Sequence, residues 1–175
     1  MAIKTIFLDR DGVINHEVNY LHKISEFRFI DGVFDACISF KKLGYQIIII
    51  SNQSGIARGY YSEDDYQNLT KWLIQQFKQK SIGILDTFHC PHSPNTGCNC
   101  RKPKPGMLLQ AKNKYNIDMK KSWIIGDKET DIQAAIASGI NKTILVSSGH
   151  IIDKPSSSAL FFLDSIKQSL QVIKN

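Results

Sequence analysis

The sequence predicts an α/β domain in three layers, a parallel sheet covered by helices on both faces. Three observations carry this. Short apolar runs alternate with amphipathic segments along the chain. The runs are continuously apolar, as strands buried on both faces require. Each run also ends on polar residues able to do chemistry: Asp9 and Asp11, Ser51-Asn52, the Cys90 region, and Gly126-Asp127. In an open parallel sheet the carboxyl ends of the strands feed one crevice. Four such ends in one crevice are a stronger signal than any one of them.

The first strand spans about Ile3 to Leu8 and is broken by Gly12. Val33 to Leu43 has helical spacing, opened by Asp31-Gly32 and stopped by Gly44. Tyr45 to Ile50, rich in isoleucine, is too short for a typical helix and reads as the second strand. Ser62 caps a long amphipathic helix that opens on Glu63-Asp64-Asp65 and reaches about Lys80. Leu85 to Cys90 is the third strand, and Pro105 opens a helix to about Tyr115. Trp123 to Ile125 is the fourth strand and Glu129 to Ser138 the helix after it. Thr143 to Val146 and a short Ala159 to Leu163 complete the strands, and the tail from Ser165 reads as helix.

At 175 residues the chain fits one domain, residues 1–175, able to bury about 70% of its unfolded surface. No repeat or long linker divides it. No apolar run approaches the roughly 20 residues of a membrane span. The N-terminus enters the first strand directly, without the features of a signal peptide, so the expected location is the cytoplasm. A formal charge of +6 admits a nucleic-acid surface or a lysine-rich solvated one. The lysines are dispersed and do not interleave with aromatic residues, which favours the second reading. A local positive potential also suits a small phosphorylated substrate.

Asp9 and Asp11 stand at i and i+2 where the first strand ends. One carboxylate can attack as a nucleophile while the other handles protons, with a hard cation offsetting their repulsion. Taken alone each piece has a plainer reading. A D-x-D is often a solvated turn, Ser51-Asn52 a strand-end turn, and Asp127 with Asp131 an acidic pair at a helix start. Lys102, in a Lys/Pro-rich loop, reads alone as solvated. Order and spacing together reverse those readings.

Three of the four cysteines cluster with a histidine as Cys90-x-His92-x5-Cys98-x-Cys100. Three thiolates and one imidazole make a closed tetrahedral set suited to structural Zn2+. In the cytoplasm a disulfide is disfavoured. Asn95-Thr96-Gly97 supplies the reversal that brings the two ligand pairs together. The zinc loop, residues 90–100, hands directly to Arg101 and Lys102, so a metal-folded loop would place both. Cys37 falls on an apolar helical face and reads as core; His89 reads as a solvent-facing strand end. His16, His22 and His150 have no evident partner.

The set Asp9-x-Asp11, Ser51-Asn52, Lys102 and Gly126-Asp127-x-x-x-Asp131, in that order, resembles the haloacid dehalogenase superfamily of phosphohydrolases. More narrowly, Asn52 to Gly59, Cys90-Pro91-His92 and Cys98-x-Cys100-Arg101-Lys102-Pro103 resemble the D-glycero-D-manno-heptose 1,7-bisphosphate 7-phosphatases. The resemblance covers nearly the whole chain. It implies a Rossmann-like domain that hydrolyses the C7 phosphate, in nucleotide-activated heptose biosynthesis, through an aspartyl-phosphate. Asp9 would be the nucleophile and Asp11 the acid and then the base. Mg2+ would be held by Asp9, the main-chain carbonyl of Asp11 and Asp127. Ser51 and Lys102 would stabilise the phosphoryl group, and Asp131 would orient Lys102 or metal-bound water. Glu17, Tyr20, Asn52, Gln53, Ser54, Arg101 and Lys128 would contact the sugar or its second phosphate, Arg101 as the fork on the distal phosphate.

There is no room for a separate cap domain, so loops must recognise the substrate; Glu17 to Tyr20 reads either as a substrate flap or as surface helix. The short zinc loop is shared with the histidinol-phosphate phosphatase branch, the alternative enzyme. Ser54 to Gly59 and Pro105-Gly106-Met107 favour the heptose branch. A non-catalytic zinc module binding nucleic acid is the reading from another class; it expects a basic aromatic arm that the chain lacks. The anomer, and with it an ADP-heptose route to lipopolysaccharide or a GDP-heptose route, is not legible. A monomer is expected.

Overall fold

The computed structural model describes residues 1–174. Its strands are β1 (Thr5–Asp9), β2 (Gln46–Asn52), β3 (Asp86–Cys90), β4 (Trp123–Gly126), β5 (Lys142–Val146) and β6 (Phe161–Leu163). All pair in parallel in one sheet of order β3-β2-β1-β4-β5-β6. The chain winds outward from β1 to β3, then returns to β4 on the other side of β1. That reversal opens a crevice beyond the carboxyl ends of β1 and β4, where ligands bind in sheets of this kind.

The continuous apolar runs become two cores because side chains alternate across a strand. Ile6, Leu8, Ile47, Ile49, Ile125, Ile144 and Val146 face one layer. Phe7, Ile48, Ile50, Ile124 and Leu145 face the other. The first layer holds α1 (Val33–Lys42), α3 (Glu63–Gln79) and the C-terminal tail, packed through Phe40, Leu73, Phe77 and Ile166. The second holds α4 (Gly106–Tyr115) and α5 (Glu129–Ser138), packed through Met107, Leu108, Ile132 and Ala135. The three-layer expectation therefore matches the architecture. No described helix is long and apolar enough to cross a membrane.

Capping fixes where the helices start. The Ser62 hydroxyl accepts from the Asp65 amide at 3.1 Å, and the Ser62 amide donates back to the Asp65 carboxylate at 2.8 Å. This reciprocal box satisfies donors that a helix start otherwise leaves open. Local details refine these expectations. The tail is helical as expected, in the 3-10 form over Ile166–Gln171. Glu17 to Tyr20 is irregular and not a surface helix. A one-turn helix, α2 (Ser54–Ala57), follows β2, too short for periodicity to announce it. Ile3 sits outside β1 as a lone bridge to Ile117.

Candidate active site

The crevice is a cleft of about 310 Å³ lined from both sides of the switch point, by Asp9, Asp11 and Ser51 at its floor and by Glu17, Tyr20, Arg101 and Lys128 at its rim. Asn52, Gln53, Ser54 and Lys102 also line it, so the structure gathers every catalytic and substrate-binding residue expected from the sequence. Asp127 lies beneath, buried at the end of β4.

At the floor, Lys102 is almost wholly buried. Its ammonium lies 2.9 Å from Asp9 Oδ1 and 2.5 Å from Asp131 Oδ1. A buried lysine keeps its charge only with such partners; burial alone would push its pKa down, and the two carboxylates lift it well above the ordinary value. Burial raises the Asp9 carboxyl to about 6, opposed by Lys102 and reinforced by Asp131. Burial raises Asp127 to about 9, with Asp9 and Asp131 pushing the same way.

Asp9, Asp127 and Asp131 each place a carboxylate oxygen within 4.8 Å of the others. Asp127 Oδ1 is buried without a hydrogen-bond partner. A crowded set of carboxylates with a free oxygen is what a hard divalent cation satisfies, and oxygen-only donors suit Mg2+. The residues present therefore fit that ion.

Asp11 is held differently. Arg10 grips it from Nη2, 2.9 Å from Oδ2 and 3.0 Å from Oδ1, and from Nε, 3.2 Å from Oδ1. The Asn15 and Gln53 amides add bonds of 3.0 and 3.2 Å. Gln53 also donates to Ser51 Oγ at 2.5 Å and accepts from the Tyr61 hydroxyl at 2.5 Å. It is thus a hub that links Asp11, Ser51 and Tyr61. Asn52 uses both ends of its amide on the Lys102 peptide, each at 3.1 Å, which places the lysine loop against β2. Both ends of the Asn52 amide are thus engaged in holding Lys102.

The cysteine cluster is formed. Cys90, His92, Cys98 and Cys100 bring their ligand atoms within 4.8 Å of one another. The Cys90 sulfur lies 3.2 Å from Cys100 and 3.6 Å from Cys98, far too long for a disulfide. Tetrahedral zinc with bonds near 2.3 Å would set such sulfurs about 3.8 Å apart. The Cys98 thiol falls to about 7, against its burial, because the Arg101 amide and neighbouring thiols donate to it; burial lifts Cys90 to about 12. Softness and geometry of the donors both fit Zn2+. The loop is tied to α4, where Gly106 donates to the Asn99 carbonyl at 3.1 Å and leaves no space for a Cβ. It is tied to β2 by the Gln53 amide on the Cys90 carbonyl at 2.8 Å. Arg101 emerges with its guanidinium donating to the His92 carbonyl at 3.3 Å.

Four contributors escaped the sequence reading. Arg10 sits between two motif residues, and only the fold shows it turned inward onto Asp11 and the Leu21 carbonyl. Asn15 and Tyr61 are ordinary in sequence. His150, without an evident partner in the sequence, places Nδ1 2.5 Å from Asp127 Oδ2. Its signal was its position after the fifth strand, on the same crevice. His89 is also less free than expected, 3.0 Å from Glu63 at the start of α3.

A HAD-hydrolase-like family model matches residues 99–165. The chain is 51% identical over 165 residues to a D-glycero-alpha-D-manno-heptose-1,7-bisphosphate 7-phosphatase of Photorhabdus laumondii, covering 90% of each chain. It is 42% identical over 165 residues to the D-glycero-beta-D-manno-heptose-1,7-bisphosphate 7-phosphatase of the same organism, covering 90% of this chain and 88% of the other. Among solved structures it resembles a D,D-heptose 1,7-bisphosphate phosphatase from B. bronchiseptica complexed with magnesium and phosphate. The TM-score is 0.84 at 27% identity, covering 98% of this chain and 100% of the other.

Proposed function

Because this chain belongs to the D-glycero-D-manno-heptose-1,7-bisphosphate 7-phosphatase family of haloacid dehalogenase-like hydrolases, we propose that it cleaves the C7 phosphate of the heptose bisphosphate with the residues described above. The substrate is D-glycero-α-D-manno-heptose 1,7-bisphosphate and the products are heptose 1-phosphate and phosphate. The α anomer is favoured because, over equal aligned lengths, identity is 51% to the relative named for the alpha anomer and 42% to the one of the same organism named for the beta anomer.

The observation that carries the mechanism is the buried Asp9–Lys102–Asp131 array at the switch point. Asp9 attacks phosphorus, forming an aspartyl-phosphate as the bond to the C7 oxygen breaks. Asp11 gives that poor leaving oxygen its proton, then takes one from the water that attacks phosphorus and frees Asp9. Lys102 and the Ser51 hydroxyl sit where charge builds on the phosphoryl oxygens, in a site where burial makes them count. Asp131 holds Lys102 in place. Asp9, Asp127 and the main-chain carbonyl of Asp11 would hold Mg2+, which when bound neutralises phosphoryl charge. Arg101, Lys128 and the segment from Glu17 to Tyr20 bind the sugar and its distal phosphate. Cys90, His92, Cys98 and Cys100 would hold a structural zinc that fixes Arg101 and Lys102. We assign the enzyme to the cytoplasm as a monomer, in keeping with its reduced cysteine cluster.

Phosphate release with Mg2+ on both heptose bisphosphate anomers, fructose 1,6-bisphosphate and histidinol phosphate tests this. The expected result is the highest kcat/KM on the α anomer. A preference for histidinol phosphate would overturn the substrate assignment and keep the chemistry.

A further inference from the structure

The loop after β5 touches both halves of the cation site through three successive residues. Ser148 Oγ donates to the Gly12 carbonyl at 2.6 Å, tying the loop to the turn that carries Asp9 and Asp11. Gly149 lies so close that a Cβ would overlap the Asp127 carboxylate and the Gly12 Cα. His150 then brings Nδ1 to 2.5 Å from Asp127 Oδ2, while Asp127 Oδ1 has no partner. One oxygen of the carboxylate is anchored and the other is left open. The carboxylate itself is fully buried, whereas the imidazole is 41% exposed, so the contact is approached from the solvent side.

We propose that His150 is a positioning residue of the cation site, its Nδ1–H holding Asp127 so that Oδ1 faces the ion, with Ser148 bracing the same loop against the nucleophile turn. The inference rests on the reading that Asp127 binds the catalytic cation. Partners of this kind fix ligand orientation, and their loss typically weakens metal affinity by about 10–100-fold. The Glu17 carboxylate belongs to the same group, its oxygen within 4.8 Å of the Asp127 and His150 ligand atoms. A direct ligand role for His150 is the competing arrangement. It is disfavoured because imidazole suits softer ions than the Mg2+ for which the oxygen donors are built.

The test is Mn2+ binding, by titration and electron paramagnetic resonance, to the zinc-loaded wild type, His150→Ala and His150→Asn. Asn places an amide N–H where Nδ1–H stood. The expected result is Mn2+ affinity about 10–100-fold lower in His150→Ala and largely restored in His150→Asn. Zinc content and Tm should stay near wild type in both. Equal affinity in His150→Ala would overturn the proposal. So would a nitrogen coupling in the wild-type signal that marks a directly bound imidazole. Failure of the wild type to bind Mn2+ would instead overturn the underlying assignment of Asp127. Ser148→Ala, which keeps the imidazole, should weaken Mn2+ binding less than His150→Ala.

Discussion

The floor and the rim of the cleft are built by opposite rules. At the floor, Asp9, Ser51, Lys102, Asp127 and Asp131 are each at most 6% exposed; the acids and Ser51 stand at strand ends or a helix start, and Lys102 in the turn before α4. Each has partners on other elements. At the rim, Tyr20 and Lys128 are exposed, and Glu17 and Arg101 are half-buried on irregular segments. Tyr20 even adopts a left-handed backbone, φ 58°, with its ring edge-on to Tyr60, the centroids 4.6 Å apart. Buried charges tolerate few geometries, because each must be paired. Exposed loop side chains tolerate many. The difference fits the proposed division of labour, in which the floor carries the reaction and the rim the choice of substrate.

The strongest attempt to break this division is Asp9→Asn. Turnover should fall at least about 10⁴-fold, as loss of a nucleophile does elsewhere. Stability of the Mg-free protein at neutral pH should rise, because the variant removes a carboxylate crowded by Asp127 and Asp131. A lower Tm would show that carboxylate crowding does not destabilise the floor. Lys102→Met should lower kcat by about 10²–10³-fold. It should also destabilise by about 3–5 kcal/mol, since Asp9 and Asp131 lose their shared countercharge. Denaturant unfolding checks both parts.

Cys98→Ala sharpens the link between the two regions. It should lose zinc and cut kcat by about tenfold or more as the loop bearing Lys102 loosens, on the scale of a misplaced catalytic group. Metal content measured beside phosphate release decides: full zinc with normal kcat would detach the loop from catalysis. Ser62→Ala, outside both regions, should cost about 1 kcal/mol through its lost helix cap and leave kcat/KM unchanged.

The same division explains what could be read from sequence. Strands and long helices were legible because burial on two faces leaves uninterrupted apolar runs and fixed helical spacing. The acids, Lys102 and the cysteine set were legible because their chemistry demands particular residue types, at strand ends and in the loop that follows β3. Arg10 and Gln53 are different. Their importance lies in which way they turn: Arg10 into Asp11, Gln53 onto Asp11, Ser51 and Tyr61. No local spacing encodes those partners, which range from the adjacent residue for Arg10 and Asp11 to 42 residues away for Gln53 and Asp11. His150 was missed for the same reason, being 23 residues from Asp127. Glu17 to Tyr20 carries no period because an irregular segment buries no continuous face.

The most direct test of floor against rim is the steady-state kinetics of Arg101→Ala on the heptose bisphosphate and on p-nitrophenyl phosphate, a monoester with no distal phosphate. The expected result is that kcat/KM for the bisphosphate falls by about 10–100-fold, the loss of a charge-assisted fork, while kcat for the simple monoester stays within about twofold. Equal loss on both substrates would contradict it, placing Arg101 in the chemistry itself.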